Sequence, residues 1–552
     1  MYTYRLKAIS KTAWTIIIIF LIIIGAVAVW YSSTWGKPAE TATTTTSSPT
    51  TSSTTSLPAT TSATSPAVKQ IVIGVTDKVT DLDPSNAYDF FTWEVLNNIM
   101  EGLVKYKPGT LDIVPGLAES WEVSDDSKTW TFHLRSGLKF ADGTPLTAQD
   151  VVRSINRVMR INGDPAWLVT SFVESVEAPD NLTVVFHLKQ PTAYFLALLA
   201  TPPYFPVHPA YKPDEIDSDQ TAGGAGPYKI TKFIRDDVLV LETNPYYYGD
   251  KPKTSKIVIK FFRDATSLRL AIENGEIDIA WRTLRPTDID YFKKASGYKV
   301  IEVPGSFIRY ICINTKMSPV DNKLVRQALA AAINRQDIID TVLLGAGEPL
   351  YSLVPNGMWS HIDVFKEKYG NANIDLAKQL LQKAGYSEEN KLHIELWYTP
   401  THYGDTEADI AQVIKEQWEA TGMITVDIKS AEWGTYVDYI RNNQLMVYLL
   451  GWYPDYLDPD DYLTPFLHSE SNSWAGTQYA NATVDQLLVK AQTITDQNQR
   501  AQLYKQVQEI FAEDVPYIPI FQGKLYIIAR EGVEGIIPNP TMLLLYSTIY
   551  KS

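Results

Sequence analysis

The feature that most constrains this chain is an uncharged apolar segment at residues 13–30, which contains the run IIIIFLIII. In a helix this segment would span about 27 Å, close to the hydrocarbon thickness of a bilayer. Arg5, Lys7 and Lys11 precede it, whereas the next basic residue after it is Lys37. The positive-inside rule therefore predicts a cytoplasmic head at 1–12, a transmembrane anchor at 13–30 and an extracellular remainder.

A cleaved secretory signal is the alternative for this segment, but the segment is longer than a usual signal core and lacks a clear small-residue cleavage site. Residues 7–10 (KAIS) resemble the cleavage site of archaeal pilin-like signal peptides, whose removal would keep the anchor. The only cysteine, Cys312, lies far from the apolar segment. Lipid anchoring and an intrachain disulfide are therefore excluded, and Cys312 is predicted to be a buried small apolar residue.

Residues 41–66 are nearly all Ser, Thr, Ala and Pro, a composition that buries too little apolar surface to fold. We interpret 31–67 as an extracellular linker suited to O-glycosylation, and place the start of the globular part near Val68. Asn181 and Asn481 begin N-glycosylation sequons, which fits an extracellular chain. A net charge of −14 argues against binding to nucleic acid.

The globular part shows the periodicity of both strands and helices. Ile71, Ile73 and Val75 predict a mostly buried first strand, and the alternating segment 129–135 predicts a half-buried one. A βαβ unit is predicted at 392–428, where two apolar runs flank a helical pattern.

Helical periodicity also continues from a predicted Asp321 cap to Ile333. Strands and helices therefore alternate along the chain, and this alternation predicts an α/β architecture with helices covering sheets.

Residues 117–150 (LAESWEVSDDSKTWTFHLRSGLKFADGTPLTAQD) carry a specific resemblance. They are similar to the signature of the family 5 extracellular solute-binding proteins, the dipeptide, oligopeptide and nickel group of ABC-transporter receptors. Further blocks follow in that family's order: GPY at 226–228, NPYYYG at 244–249, FRDATSLRLAIENGEIDIA at 262–280, RYICINTKMSPVDNKLVRQALAAAINR at 309–335 and GWYPDYLDPDDYL at 451–463. The resemblance covers the chain from about Val68 to its end.

The resemblance implies a two-lobed, periplasmic-binding-protein-like α/β fold (type II, cluster C) with an extra subdomain and a ligand cleft between the lobes. The implied segments are lobe I at 68–105, 224–315 and 516–552, the extra subdomain at 106–223, and lobe II at 316–515. The chain would then cross between the lobes near Asn314 and Pro516, which would form the hinge.

The function implied is that of a monomeric, membrane-anchored receptor that captures a di- or oligopeptide by hinge closure and delivers it to an ABC permease with cytoplasmic ATPases. Such a receptor performs no bond chemistry. It surrounds a polar ligand, replaces the ligand's water and releases the ligand when the lobes part.

The resemblance points to the loop GWYPDYLDP for the ligand contacts. A buried α-ammonium needs a carboxylate beside it, and the resemblance assigns that role to Asp455. Asp458, Asp460 and Asp461 are interpreted as turn residues that make local bonds. The remaining candidates are aromatic or amide side chains that would line the cleft: Trp452, Tyr456, Asn314, Tyr310, Trp433 and Tyr398. For the last four of these residues, packing inside the fold is an equally good explanation.

Three other functions remain open at this point. The chain is 12% aromatic, which suits an oligosaccharide ligand, and its many carboxylates would suit an extracellular hydrolase. The sequence contains no G-x-S-x-G or H-E-x-x-H motif. A signalling or adhesion receptor is the third alternative, although the short head leaves little room for signalling.

No metal or cofactor is predicted. His361, His393, His402 and His468 show no close pair of the kind that zinc or nickel sites use.

Overall fold

A computed structural model describes residues 70–400 and 402–552. The predicted head at 1–12, anchor at 13–30 and linker at 31–67 lie outside these described residues. Within the described ranges, none of the helices has the length and apolar character needed to cross a bilayer.

The described chain alternates strands with helices, as the sequence predicts. The strands in chain order are β1 (Gln70–Val75), β2 (Val104–Tyr106), β3 (Ile113–Pro115), β4 (Ala118–Val123), β5 (Thr129–Leu134), β6 (Val173–Glu177), β7 (Thr183–Leu188), β8 (Tyr228–Ile234), β9 (Val238–Thr243), β10 (Lys256–Phe261), β11 (Ile279–Trp281), β12 (Tyr298–Val303), β13 (Ile308–Ile313), β14 (Gly347–Pro349), β15 (Leu392–Tyr398), β16 (Ile424–Ser430), β17 (Val447–Trp452), β18 (Tyr517–Gly523), β19 (Leu525–Arg530), β20 (Val533–Glu534) and β21 (Tyr550–Lys551).

The helices connect and cover these strands. They are α1 (Phe90–Ile99), α2 (Ala148–Ile161), α3 (Trp167–Thr170), α4 (Phe195–Leu199), α5 (Ala265–Glu273), α6 (Pro286–Lys294), α7 (Lys323–Ala332), α8 (Arg335–Thr341), α9 (Val364–Tyr369), α10 (Ile374–Lys383), α11 (Glu407–Glu419), α12 (Trp433–Arg441), α13 (Asp460–Leu467), α14 (Ala482–Thr493) and α15 (Gln497–Asp514). Short 3-10 turns occur at Asp164–Ala166, Pro202–Tyr204, Asn472–Ala475 and Tyr546–Thr548.

The first lobe is built on a mixed seven-stranded sheet with the order β12-β19-β11-β1-β10-β9-β8. Strand β1 lies at its centre and pairs in parallel with β10 and β11. A four-stranded antiparallel sheet, β4-β5-β7-β6, falls within the predicted extra subdomain. The two sheets share one hydrophobic core, so this subdomain packs against the first lobe.

The second lobe is built on a six-stranded sheet with the order β14-β18-β13-β17-β15-β16 and has its own hydrophobic core. Strands β15 and β16 run parallel and are joined through α11, which confirms the predicted βαβ unit. Strand β13 lies between β17 and β18, and all six of its side chains are buried. Cys312 on this strand is buried and free, as predicted.

The sheet pairing corrects the predicted crossings between lobes. The predicted boundaries place β13 and β18 in the first lobe, but both strands hydrogen-bond within the six-stranded sheet. The chain therefore passes between the two sheets at residues 304–307 and at Lys524, and not near Asn314 and Pro516. The sequence shows that β13 and β18 are apolar, but it does not show which strands they pair with.

The predicted cap of α7 is also corrected, by one residue. Asn322, and not Asp321, is the N-cap, and its side-chain oxygen accepts a hydrogen bond from the backbone N–H of Leu324 at 2.9 Å. Both residue types cap helices well, so the sequence alone does not choose between adjacent candidates.

Helix α1 forms one wall of the space between the lobes, and the end of the chain fixes its position. Buried Glu94 on this helix accepts hydrogen bonds from Trp281 Nε1 (2.8 Å), from the Leu544 backbone N–H (2.9 Å) and from the Tyr546 hydroxyl (2.7 Å). Asn98, one turn later, donates to the Leu544 carbonyl and accepts from the Tyr546 N–H, both at 2.9 Å. Two buried polar residues thus bind α1 to the C-terminal segment.

Replacing Glu94 with alanine should destabilise the protein by roughly 2–5 kcal/mol, because three buried donors lose their acceptor together. Urea unfolding of the wild-type and Glu94→Ala proteins measures this difference. Glu119→Ala, at an exposed position on β4, is the matched control and should change the free energy of unfolding by less than about 0.5 kcal/mol. Equal stability of the Glu94 variant and wild type would show that the C-terminal segment does not hold α1.

Candidate functional site

Two neighbouring cavities lie between the lobes. The first, named here the Asp455 cavity, has a volume of about 390 Å³ and is lined by both lobes. The first lobe contributes Asp77, Tyr88, Asp89, Phe90, Phe91, Trp93 and Arg282. The second lobe contributes His402, Tyr403 and residues 451–455. The second, named the Arg309 cavity, has a volume of about 550 Å³ and extends to Arg309, Glu407 and Lys524. Both cavities share Asp77, Arg282, His402, Tyr403 and Tyr453, so they form one continuous cleft.

The loop after β17 carries Asp455 into this cleft, and Asp461 shapes the loop. One carboxylate oxygen of Asp461, Oδ2, accepts from the Asp455 backbone N–H at 2.9 Å and from Trp452 Nε1 at 3.2 Å. Its other oxygen, Oδ1, is buried and has no hydrogen-bond partner. The loop thus places Asp455 at the wall of the Asp455 cavity and the fully buried Asp461 carboxylate against the backbone of Asp455.

Neither of these carboxylates is balanced by a protein cation. In the described ranges, neither Asp455 nor Asp461 forms an ion pair with Lys, Arg or His, and the Tyr88 hydroxyl donates to Asp455 Oδ2 at 2.9 Å. Burial raises the pKa of Asp455 to about 7, and the Tyr88 hydrogen bond opposes that rise. Burial, followed by the charge of Asp455, raises the pKa of Asp461 well above its usual range. The pair therefore resists holding two negative charges at once.

The other two aspartates of the loop are structural. Arg500 forms a two-point ion pair with Asp458 at 2.9 and 2.5 Å. Asp460 accepts hydrogen bonds from the hydroxyls of Tyr456 (3.1 Å) and Thr464 (2.8 Å). Only the bond from the Asp460 N–H to Asp458, at 2.9 Å, is the local turn bond that the sequence predicts. The ion pair with Arg500, 42 residues away in the chain, fixes the base of the loop, and Asp455 lines the cleft.

Two arginines also line the cleft, Arg282 in the first lobe and Arg309 on β13, the strand next to β17 in the second lobe. Arg282 contacts Asp77 at 3.3 Å and packs over the ring of Phe90 at 4.2 Å. Arg309 forms an ion pair with Glu407 and packs over the ring of Tyr403 at 3.8 Å. Each of these two guanidinium groups therefore lies beside a carboxylate of its own.

His402 adds no positive charge to the cleft at neutral pH. Its ring stacks on Trp433 with a centroid distance of 3.6 Å. The surrounding protein, and next the charge of Arg309, lower the pKa of His402 to about 4. The imidazole is therefore neutral at pH 7 and cannot balance Asp455 or Asp461.

The structure brings some of the predicted site residues together. Asp455, Trp452 and Tyr456 share the loop, and Asp455 and Trp452 line the Asp455 cavity. Tyr456 is buried and stacks on Tyr194 of the extra subdomain, with ring centroids 5.0 Å apart, so it joins the subdomain to the second lobe. Trp433 lies behind His402 and lines neither cavity.

Three other predicted residues lie away from both cavities, inside the second lobe. Asn314 is buried, and its side-chain oxygen accepts from Gln478 at 2.8 Å. Tyr310 is buried, and its hydroxyl donates to the Gly451 carbonyl at 3.2 Å. Tyr398 packs against the second lobe's core at the end of β15. Asn314 and Tyr310 line neither cavity, because Tyr310 packs against Phe466 and Tyr517 in the core of the second lobe and Asn314 bonds to Gln478 inside it.

Sequence reasoning missed the residues that complete the cleft, namely Tyr88, Asp77, Arg282, Arg309, Tyr403 and Tyr453. One of them carried a local signal, because Arg309 is the single charged residue in the apolar strand β13. The others are brought together by contacts between distant segments, such as the 367-residue separation between Tyr88 and Asp455.

Comparison with known proteins gives consistent results. Residues 112–474 match the family described as Bacterial extracellular solute-binding proteins, family 5 Middle. The chain is 30% identical over 484 residues to the probable D,D-dipeptide-binding periplasmic protein DdpA of Escherichia coli, covering 86% of this chain and 92% of that protein.

Solved structures are similar over most of the chain. One is the ABC transporter-associated periplasmic binding protein DppA from Helicobacter pylori in complex with peptide STSA, with a TM-score of 0.74, 26% identity, and 87% and 98% of the two chains covered. Another is a dipeptide binding protein from a Pseudoalteromonas species in complex with Met-Leu, with a TM-score of 0.77, 25% identity, and 88% and 100% covered. These similarities confirm the predicted two-lobed, periplasmic-binding-protein-like fold.

We expect the unliganded protein to lose stability relative to an Asp455→Asn variant as the pH rises from about 5 to about 8. The carboxyl of an unfolded chain ionises near pH 4, whereas burial keeps the folded Asp455 protonated until about pH 7. Between these two pKa values the folded state binds one proton more than the unfolded state. The stability that this proton contributes is lost as the pH rises through the window. Urea unfolding at both pH values measures the free energies of unfolding of the two proteins. Between pH 5 and pH 8, wild type should lose about 2 kcal/mol relative to the Asp455→Asn variant.

Asp125→Asn, at an exposed turn between β4 and β5, controls for the general effect of removing an acidic side chain. Its stability should follow the wild-type pH profile. Parallel profiles for Asp455→Asn and wild type would contradict a half-buried carboxyl with a raised pKa at position 455.

Proposed function

We propose that this chain, which belongs to the family 5 extracellular solute-binding proteins, is the receptor of an ABC importer and captures short peptides through their free amino terminus. The observation that carries the proposal is Asp455, a half-buried carboxyl at the cleft wall that, like the buried Asp461 beside it, has no ion-pair partner among the described residues. A carboxylate is stable in such a place only when a cation or several donors lie beside it. The α-ammonium of a peptide is a cation that every unblocked peptide carries.

The geometry of the Asp455 cavity supports this proposal. Asp455 reaches the cavity from the second lobe, and its hydrogen-bond partner Tyr88 belongs to the first. Tyr453, two residues before Asp455 in the chain, packs on Phe90 of the first lobe with ring centroids 5.3 Å apart. An ammonium bound at Asp455 would therefore contact both lobes and favour the closed form over the open one, which is the condition for ligand-driven closure.

Closure requires a hinge, for which we propose residues 304–307 and Lys524. These are the positions where the chain passes between the two sheets. Residues 224–303 and 525–552 would move with the first lobe, and 308–523 would form the second. Hinges of this kind are a few residues at the ends of regular elements that absorb the change in backbone angles.

A peptide fits the cleft better than the alternative of an oligosaccharide. Tyr88, Trp93 and Tyr453 give the Asp455 cavity aromatic surfaces on which a sugar could stack. A neutral sugar, however, offers hydroxyl groups and no cation to Asp455. The named relatives with dipeptide or peptide ligands agree with a peptide, and the family of binding proteins agrees with a receptor that leaves its ligand unchanged and has no hydrolase activity.

We further propose that the receptor acts at the cell surface as a monomer, held by an archaeal-type anchor at 13–30 and a glycosylated linker at 31–67. The apolar segment and the basic residues before it support the anchor and its orientation. The Ser/Thr-rich composition supports a glycosylated, extended linker that would let the lobes reach the permease.

Replacing Asp455 with asparagine should weaken the binding of an unblocked dipeptide by roughly 2–5 kcal/mol, because the ammonium loses a buried charged partner. Calorimetry with pools of dipeptides measures this loss. N-acetylation of the peptides should reduce binding to wild type by a similar factor, since it removes the same charge from the other side of the contact.

Asp438→Asn is the matched control, an exposed aspartate on α12 of the same lobe, and should bind as wild type does. Undiminished binding of unblocked peptides by Asp455→Asn, or equal binding of acetylated and free peptides by wild type, would refute the proposed contact.

A further inference from the structure

The loop that carries Asp455 is held by the extra subdomain as well as by its own lobe. Tyr456 follows Asp455 directly in the chain of the second lobe, but its side chain lies in the hydrophobic core that the first lobe shares with the extra subdomain. Only 3% of Tyr456 is exposed. The loop therefore reaches out of its own lobe, and its position depends on the residues that surround Tyr456 in this other core.

Tyr194 of the extra subdomain stacks on Tyr456 in that core. The planes of the two rings differ by 10°, and their centroids are 5.0 Å apart. A stacked aromatic pair contributes stability beyond the area that it buries. The Tyr456 hydroxyl donates to Asp460 at 3.1 Å. The Tyr456 ring is therefore fixed at its face by the subdomain and at its polar end by its own lobe.

Tyr194 is itself held by contacts with two parts of the molecule. Its ring packs edge-on against Phe172 of the same subdomain, with centroids 5.7 Å apart. The N–H of Ala193 donates to the carbonyl of Gln492 on α14 at 3.0 Å. The guanidinium of Arg500 in the second lobe lies 5.7 Å from the centre of the Tyr194 ring. Tyr194 therefore presents a fixed surface to the loop.

The loop has room to shift if this support is removed. A cavity of about 170 Å³ lies between the loop and the extra subdomain, lined by residues 454–457 of the loop and by residues 200–202 and Phe205 of the subdomain. Asp455 lines this cavity as well as the Asp455 cavity. A movement of the loop into this space would take the Asp455 carboxyl out of its place at the cleft wall.

We propose that Tyr194 is a positioning residue for ligand binding, which holds Asp455 at the cleft wall through the stacked ring of Tyr456. This inference rests on the proposed function, and it gives the extra subdomain a part in the recognition of the ligand's amino group. Tyr194 lines neither the Asp455 cavity nor the Arg309 cavity, so it acts through Tyr456 and not by contact with the ligand. A binding group whose support is loosened by about 1 Å loses much of its effect.

The test compares dipeptides that have a free amino group with the same dipeptides after N-acetylation, using the full protein at neutral pH. Calorimetry gives both affinities, and their ratio measures the contact of the ammonium with Asp455. In Tyr194→Ala this ratio should fall by roughly five- to tenfold, the range of one stacked aromatic pair. Free dipeptides should bind more weakly, whereas acetylated dipeptides should bind as they do to wild type.

Three further variants separate positioning from general destabilisation. Tyr194→Phe keeps the ring and removes a hydroxyl that is buried without a hydrogen-bond partner among the described residues, so it should keep the wild-type ratio. Tyr194→Leu fills much of the space without a ring that can stack, and it should lower the ratio even if the alanine variant does not fold. Phe186→Leu alters a ring that packs on Phe132 and Phe195 in the subdomain core. It should lower the thermal stability and leave the ratio unchanged.

The outcomes separate this inference from the proposed function. A wild-type ratio in Tyr194→Ala, or in Tyr194→Leu where the alanine variant does not fold, overturns the positioning role while the ammonium contact at Asp455 can still hold. A lowered ratio in Tyr194→Phe, or an equal loss in Phe186→Leu, also overturns it, because the stacked ring is then not the cause. Equal binding of free and acetylated dipeptides by wild type overturns the ammonium contact and the positioning role together.

Discussion

Burying a carboxylate is costly unless a cation or several hydrogen-bond donors lie beside it. Asp455 lies half-buried at the wall of the cleft beside the fully buried Asp461, and the described part of the chain pairs neither of them with a cation. A fold that keeps such a pair has a place for a positive charge from outside. The proposed peptide ligand follows from this constraint, because its ammonium supplies the missing charge.

The rest of the architecture positions that pair. The six-stranded sheet carries the loop after β17, and the ion pair between Asp458 and Arg500 fixes the base of the loop. The first lobe supplies Tyr88 and helix α1, which the C-terminal segment holds through Glu94. The proposed binding site is therefore assembled from segments that are hundreds of residues apart, and the proposed closure of the lobes would bring its halves together.

The sequence predicts some parts of this arrangement well. Periodicity identifies β1, the βαβ unit and the burial of Cys312, because these depend on local apolar patterns. The resemblance to a family identifies the loop of Asp455.

The remaining parts depend on pairing between distant segments, which a single sequence does not encode in readable form. Tyr310 and Asn314 lie inside the second lobe and not at the expected cleft, whereas Arg309 on the same strand as Tyr310 faces it. Arg282 follows a short strand with no motif around it, and only the fold shows that it faces the cleft.

A crystal structure of the protein with a bound dipeptide tests the central claim most directly. The account predicts the peptide's amino nitrogen within hydrogen-bond distance of the Asp455 carboxylate, between the closed lobes. A peptide bound with its amino group away from Asp455, or a cleft in which Asp455 and Asp461 face no ligand cation, would contradict it.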